Sequence, residues 1–140
     1  MLYDLAWAQQ ANEISIGSKK FPESRLLAEM VAQYLENKDF QVSRRFGLGG
    51  TMICFEALQQ GEIDLYPEYT GTGLTAILNR SVEGKNARNT FEEVKQAFGR
   101  EYNLTWLDPL GFSNKYTLVI RDTFHISKIS ELNAIRDQVK

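Results

Sequence analysis

From Gly61 to Gly73 the chain reads Gly-Glu-Ile-Asp-Leu-Tyr-Pro-Glu-Tyr-Thr-Gly-Thr-Gly, a poor helix or core sequence that gathers the groups suited to gripping a small molecule. Tyr66 and Tyr69 offer aromatic faces, Thr70 and Thr72 offer hydroxyls, and Gly71 and Gly73 let a backbone approach a ligand or a helix start. Glu62, Asp64 and Glu68 alternate through the same run, and at a sheet edge such carboxylates are solvated or capping groups more often than an acid–base pair.

A second feature is the turn Gly47-Leu48-Gly49-Gly50. It is no dinucleotide fingerprint, because Met52 stands where that motif needs its sixth-position glycine, and it lacks the lysine of a phosphate loop. Two readings remain: backbone N–H groups at a helix N-terminus that suit a carboxylate, or a tight turn without a ligand. Histidine-based nucleophilic catalysis is disfavoured, since the one histidine, His125, lies far along the chain from Cys54 and the serines. One His and one Cys among scattered carboxylates give no metal-ligand spacing, and nothing calls for a cofactor. Taken singly, Tyr69 and Tyr116 are ordinary core or surface residues; with Phe21 and the glycine turn they make a set suited to a ligand carrying a cation at one end and a carboxylate at the other.

The elements that must carry these residues alternate. A strand at Ile14–Ile16 ends in Gly17-Ser18; Pro22 and Glu23 open a helix reaching Asn37, with Leu26, Leu27, Met30, Val31, Tyr34 and Leu35 on its apolar face. Phe40, Val42 and Arg44 mark a second strand, and Met52 to Gln60 a second helix with Ile53, Ala57 and Leu58 toward the core, closed by Gly61. A third strand, Ile63–Leu65, is followed by a short helix from Gly73 to Leu78. After a polar loop, Thr90 and Glu93 resemble a capping box for a helix through Tyr102; strands at Thr105–Leu107 and Tyr116–Ile120 follow, then a helical pattern over Ile126–Lys140. This order predicts an α/β fold with a largely parallel sheet covered by helices.

With 140 residues, 43% of them apolar, and a net charge of −2, the chain can bury the core of one ordinary domain and carries no basic stripe for nucleic acid. Cys54 alone makes no internal disulfide and reads as a small buried hydrophobe. No apolar run spans a membrane and no basic head precedes an apolar core at the N-terminus, so an export signal or anchor is expected outside this chain, with residues 1–12 an extension or remnant.

Several blocks together resemble one family. Ile16-Gly-Ser-Lys-Lys-Phe-Pro-Glu-Ser24, Gly47-Leu-Gly-Gly-Thr51, Phe55-Glu-Ala-Leu58, the Gly61–Thr72 run, Trp106-Leu107 and Gly111-Phe-Ser-Asn-Lys-Tyr116 are similar, in order and spacing, to the osmoprotectant-type substrate-binding proteins of ABC importers. That resemblance implies a clamshell of the periplasmic-binding-protein type II class, binding a quaternary amine such as glycine betaine, choline or carnitine between two lobes. An ergothioneine-binding branch and members fused to their permease belong to the same resemblance. It implies no cofactor, an ABC permease as partner, and a place on the periplasmic or extracellular face of a bacterial inner membrane.

Carried over by position, Tyr69 and Tyr116 resemble aromatic-cage members and Thr72 a polar contact to the ligand. Ser24 stands where a polar residue, often glutamine, reaches the ligand; Ser18, Lys19, Phe21 and Thr51 line the same cleft. Family members run to roughly twice this length, so residues 13–120 are expected to form the first lobe and 121–140 the start of a second. Weak or absent solute binding by this chain alone, and pairing of residues 126–140 with a second molecule, follow as expectations. The rivals are an enzyme on the same fold, a dehydratase or deaminase with Glu68 or Lys19 as acid or base, and the sensing lobe of a receptor.

Overall fold

The computed structural model describes residues 13–114 and 118–138. They divide at Asp108/Pro109 into two compact units.

The first unit is built on two parallel strands, β1 (Glu13–Lys19) and β2 (Gln41–Gly49), joined by helix α1 (Pro22–Glu36). Glu13 faces Gln41 and Gly17 faces Arg45; the register shifts at Ser18, and pairing resumes at Lys19 and Gly49. Both strands outrun the sequence expectation. At the irregularity the Gly47 N–H donates to the Ser18 hydroxyl (2.9 Å), which takes the place of a ladder bond and lets β2 continue through its glycines. Gly47 itself needs a positive φ of 75°, and a side chain there would collide with the Arg25 guanidinium.

The third strand shrinks to one parallel bridge, Ile16 to Leu65. Gly17 N–H donates to Leu65 O and Asp64 N–H to Ser15 O, both at 2.8 Å. The Asp64 carboxylate takes the Ser15 N–H (2.7 Å), and two residues past Leu65 Pro67 has no N–H to offer, so the ladder stops.

Helix α1 starts with Pro22 in its first turn, as expected, but turns a different face inward. Ser24, Ala28 and Ala32 are buried, Val31 and Leu35 pack beside Ile16, and Leu26, Met30 and Tyr34 are exposed. Small residues let the helix lie close on a two-stranded sheet, which leaves no room beneath it for the long side chains. Arg44 on β2 braces α1 from outside, donating from Nε to Glu29 (2.9 Å) and from Nη1 to Glu36 (2.6 Å).

Helix α2 (Thr51–Gln59) follows Gly50 and buries Cys54, Phe55 and Ala57. Cys54 is the buried hydrophobe its context predicts. Ile53, expected in the core, lies half exposed against Gly49.

A second core joins Phe55 and Leu74 to Val94 and Phe98 of helix α3 (Ala87–Tyr102). The expected Thr90–Glu93 capping box does not form. Asn86 caps instead, its side chain accepting from Asn89 N–H at 2.8 Å, while Thr90 is buried and Glu93 pairs with Arg80 and Lys85. The expected helix at 73–78 appears as a turn over Thr70–Thr72 running into a π-helical turn, Gly73–Ile77. A Cβ on Gly73 would sit 2.7 Å from the Trp106 ring, so that ring can close the core only over a glycine. Residues 105–107 find no strand partner and are held through Trp106, which meets Phe98 edge-on at 5.3 Å.

In the second unit, residues 118–120 of the expected Tyr116–Ile120 strand are irregular, and the first two residues of that strand lie outside the described residues. The helical pattern expected over residues 126–140 is realised as a 3-10 helix, Ile129–Gln138. Ile135 is buried, while Leu118, Val119 and Ile129 stay exposed.

Candidate functional site

The end of β1 delivers Lys19 to the N-terminal ends of both α1 and α2. Its backbone is clamped: Lys19 N–H donates to the Ser24 hydroxyl (2.9 Å), and the neighbouring Lys20 N–H donates to Gly49 O (3.1 Å). The Ser18 hydroxyl donates to Lys19 O at 3.2 Å. Ser18 and Ser24 are both buried, and in this structure both hydroxyls serve the loop that aims Lys19.

The Lys19 ammonium is the centre of the site. It pairs with Glu68 Oε1 and donates to Thr51 Oγ1 (3.3 Å), the hydroxyl of the first residue of α2. It also lies 5.1 Å from the Tyr69 ring centroid and 5.6 Å from that of Phe21, two rings stacked 6.1 Å apart at 28°. Phe21 precedes Pro22 at the helix start, and Tyr69 is brought over by the Tyr66-Pro67 segment, so the ammonium holds these two segments together.

Glu68 was expected at a sheet edge as a solvated or capping group. Its side chain is instead 4% exposed, because Pro67 and the bridge at Leu65 turn the following residues under the N-termini of the helices. Oε1 also accepts from the Tyr69 backbone N–H at 2.7 Å. Oε2 is buried and has no hydrogen bond of ordinary geometry among the described residues. The charge is felt nearby. Burial first and Glu68 second push the Tyr66 phenol far above its usual range. The Cys54 thiol is raised by burial and then by Glu68, against an opposing pull from Lys19.

Of the residues singled out from sequence, Lys19, Phe21, Thr51 and Tyr69 come together around one ammonium, with Ser18 and Ser24 supporting it. Thr72 is half-buried on the helical turn that begins just after Tyr69. Tyr116 lies outside the described residues. Glu68 and Tyr66 carry more of the site than sequence reasoning gave them. The available signal was an acidic residue between two tyrosines in a chain that also places a lysine at the end of an apolar strand. Among the described residues no group of three His, Cys, Asp or Glu is placed to hold a metal ion, and no helix is long and apolar enough to cross a membrane.

Stacked rings and helix N-termini surround a buried cation on a parallel α/β unit. Residues 12–140 match the family model described as the substrate binding domain of ABC-type glycine betaine transport system, and the chain belongs to that family. The chain is 36% identical over 114 residues to the ergothioneine transport permease/ergothioneine binding protein EgtU of Helicobacter pylori, covering 81% of this chain and 20% of that one. It is 32% identical over 126 residues to the glycine betaine-binding protein YehZ of Escherichia coli, covering 89% and 41%. The solved structure of apo YehZ superposes with a TM-score of 0.69 at 28% identity, over 90% of this chain and 47% of that one. The chain therefore has the periplasmic-binding-protein-like fold and spans less than half the length of these relatives. Members of the family are binding components of transporters, periplasmic or extracellular, and not enzymes, which sets aside the dehydratase and deaminase readings.

Proposed function

We propose that this chain is the lobe of an ABC importer's substrate-binding protein that receives the carboxylate end of a betaine-like solute, the observation that carries this being the buried Lys19 ammonium beside the N-terminus of α2. A cation already lies against the Phe21–Tyr69 ring pair, so a second cation beside it is repelled. A solute carboxylate is drawn to Lys19, Thr51 and the N–H groups that follow Gly50. The quaternary ammonium then lies away from Lys19, against aromatic faces that include Tyr69 and Tyr116, with Thr72 as a polar contact. A quaternary ammonium has no N–H to donate and is held by ring faces.

The rest of the cage comes from a second lobe, closure of the two lobes on the solute signals an ABC permease, separate or fused, and the protein works on the outer face of the inner membrane. In this division residues 13–120 belong to the first lobe and 121–140 lead into the second. Ergothioneine stays a candidate cargo beside glycine betaine, carnitine and choline, because it is itself a betaine and the relative that binds it is 36% identical.

The test is calorimetric titration of the full-length protein carrying this chain with those four amines. Binding of at least one carboxylate-bearing amine, weakened at least about tenfold by Tyr69→Ala through loss of a desolvated ring face, supports the reading. Silence from all four, or binding indifferent to Tyr69→Ala, overturns it.

A further inference from the structure

Glu68 has no part in the solute contacts described above, yet its carboxylate is buried against the site's cation. We propose that Glu68 sets the charge preference of the site by compensating Lys19, a role that rests on the functional reading above. The pair is nearly out of solvent, with side chains 5% and 4% exposed, so neither charge is screened by water. Together they leave the empty site close to neutral. A solute carboxylate then meets a cation whose field is partly cancelled, and a solute cation meets a weakened repulsion. The unpaired site would carry a full positive charge and would reject a purely cationic amine.

The geometry makes Glu68 more than a surface counter-ion. Oε1 grips both the Lys19 ammonium and the Tyr69 N–H, so the compensating charge is tied to the backbone of the ring that faces the ammonium. Oε2 remains buried without an ordinary hydrogen bond among the described residues, and Lys19 is the cation paired with this carboxylate.

The experiment compares glycine betaine, which carries a carboxylate, with choline, which does not, by titration into the full-length protein at pH 6, where a free lysine is charged. Glu68→Gln keeps the shape and one oxygen acceptor while removing the charge. The ratio of choline Kd to glycine betaine Kd should rise about tenfold or more, as expected for one unscreened charge at such distances. Lys19→Met should move the ratio in the opposite direction, and Lys19→Met/Glu68→Gln should fall between the two single variants. A packing role for Glu68 predicts no such opposition of sign. If Glu68→Gln does not fold, a ratio higher in the double variant than in Lys19→Met supports the inference, and an equal or lower one overturns it. Wild-type protein that binds neither amine overturns the functional reading and this inference with it. Wild-type protein that binds, with a ratio unmoved by Glu68→Gln, overturns the inference alone.

Discussion

Lys19 and Glu68, 49 residues apart in sequence, meet as a buried ion pair beneath the stacked rings of Phe21 and Tyr69. The pair joins the end of β1 to the segment after the Leu65 bridge, and so fastens the segment that carries Tyr69 to the sheet.

Breaking such a pair from one side leaves a charge buried alone. Lys19→Met or Glu68→Gln should each cost about 3–5 kcal/mol of stability, and the double variant should cost clearly less than the sum. Urea unfolding of the three variants checks this; additive losses would mean that the two groups do not compensate each other.

The Arg44 network makes an acid-sensitive brace. Hydrogen bonds from Arg44, and then from Gln33, lower the Glu29 carboxyl from 4.5 to about 2, and Arg44 lowers Glu36 as well. A folded-state value below the unfolded one means that the contribution is present above about pH 4.5 and fades as pH falls toward 2. The melting temperature of Arg44→Ala should therefore fall less than that of the wild type between pH 5 and pH 2. Parallel curves would contradict the assignment. Both partners are solvent-exposed, so the difference should also shrink in high salt.

The cap of α3 separates two readings of the same stretch. Asn86→Ala should cost about 1 kcal/mol, the usual loss of a side-chain N-cap. Glu93→Ala, which loses surface ion pairs with Arg80 and Lys85, should cost less than Asn86→Ala. The reverse order in thermal melts would restore the capping box at Thr90.

Much of this was legible in the sequence. The strand and helix order through Gln59 follows from apolar spacing, Pro22 at a helix start and glycines at the turns. The face of α1 was not: hydropathy favours Leu26, Met30 and Tyr34, but fit against a narrow sheet decides for Ser24, Ala28 and Ala32. The strand at 63–65 was overcalled because its Asp64 side chain competes for the ladder. Tyr69, Phe21 and Thr51 were marked as site residues by type and family resemblance. The central position of Lys19 and the burial of Glu68 depend on how segments 49 residues apart meet, which residue type hints at but does not determine.

The exposed apolar residues of the second unit, Leu118, Val119 and Ile129, predict association of this chain when it is made by itself. Sedimentation should show a concentration-dependent dimer, weakened by Val119→Lys with Ile129→Lys. A monomer at every concentration would contradict the expectation.

The most direct test is a structure of the full-length protein with its best-binding carboxylate-bearing amine. The account predicts a solute carboxylate oxygen within about 3.2 Å of Lys19 Nζ, at hydrogen-bond distance, and the quaternary ammonium against an aromatic face away from it. A quaternary ammonium found between Phe21 and Tyr69, with Lys19 displaced into solvent, would contradict it.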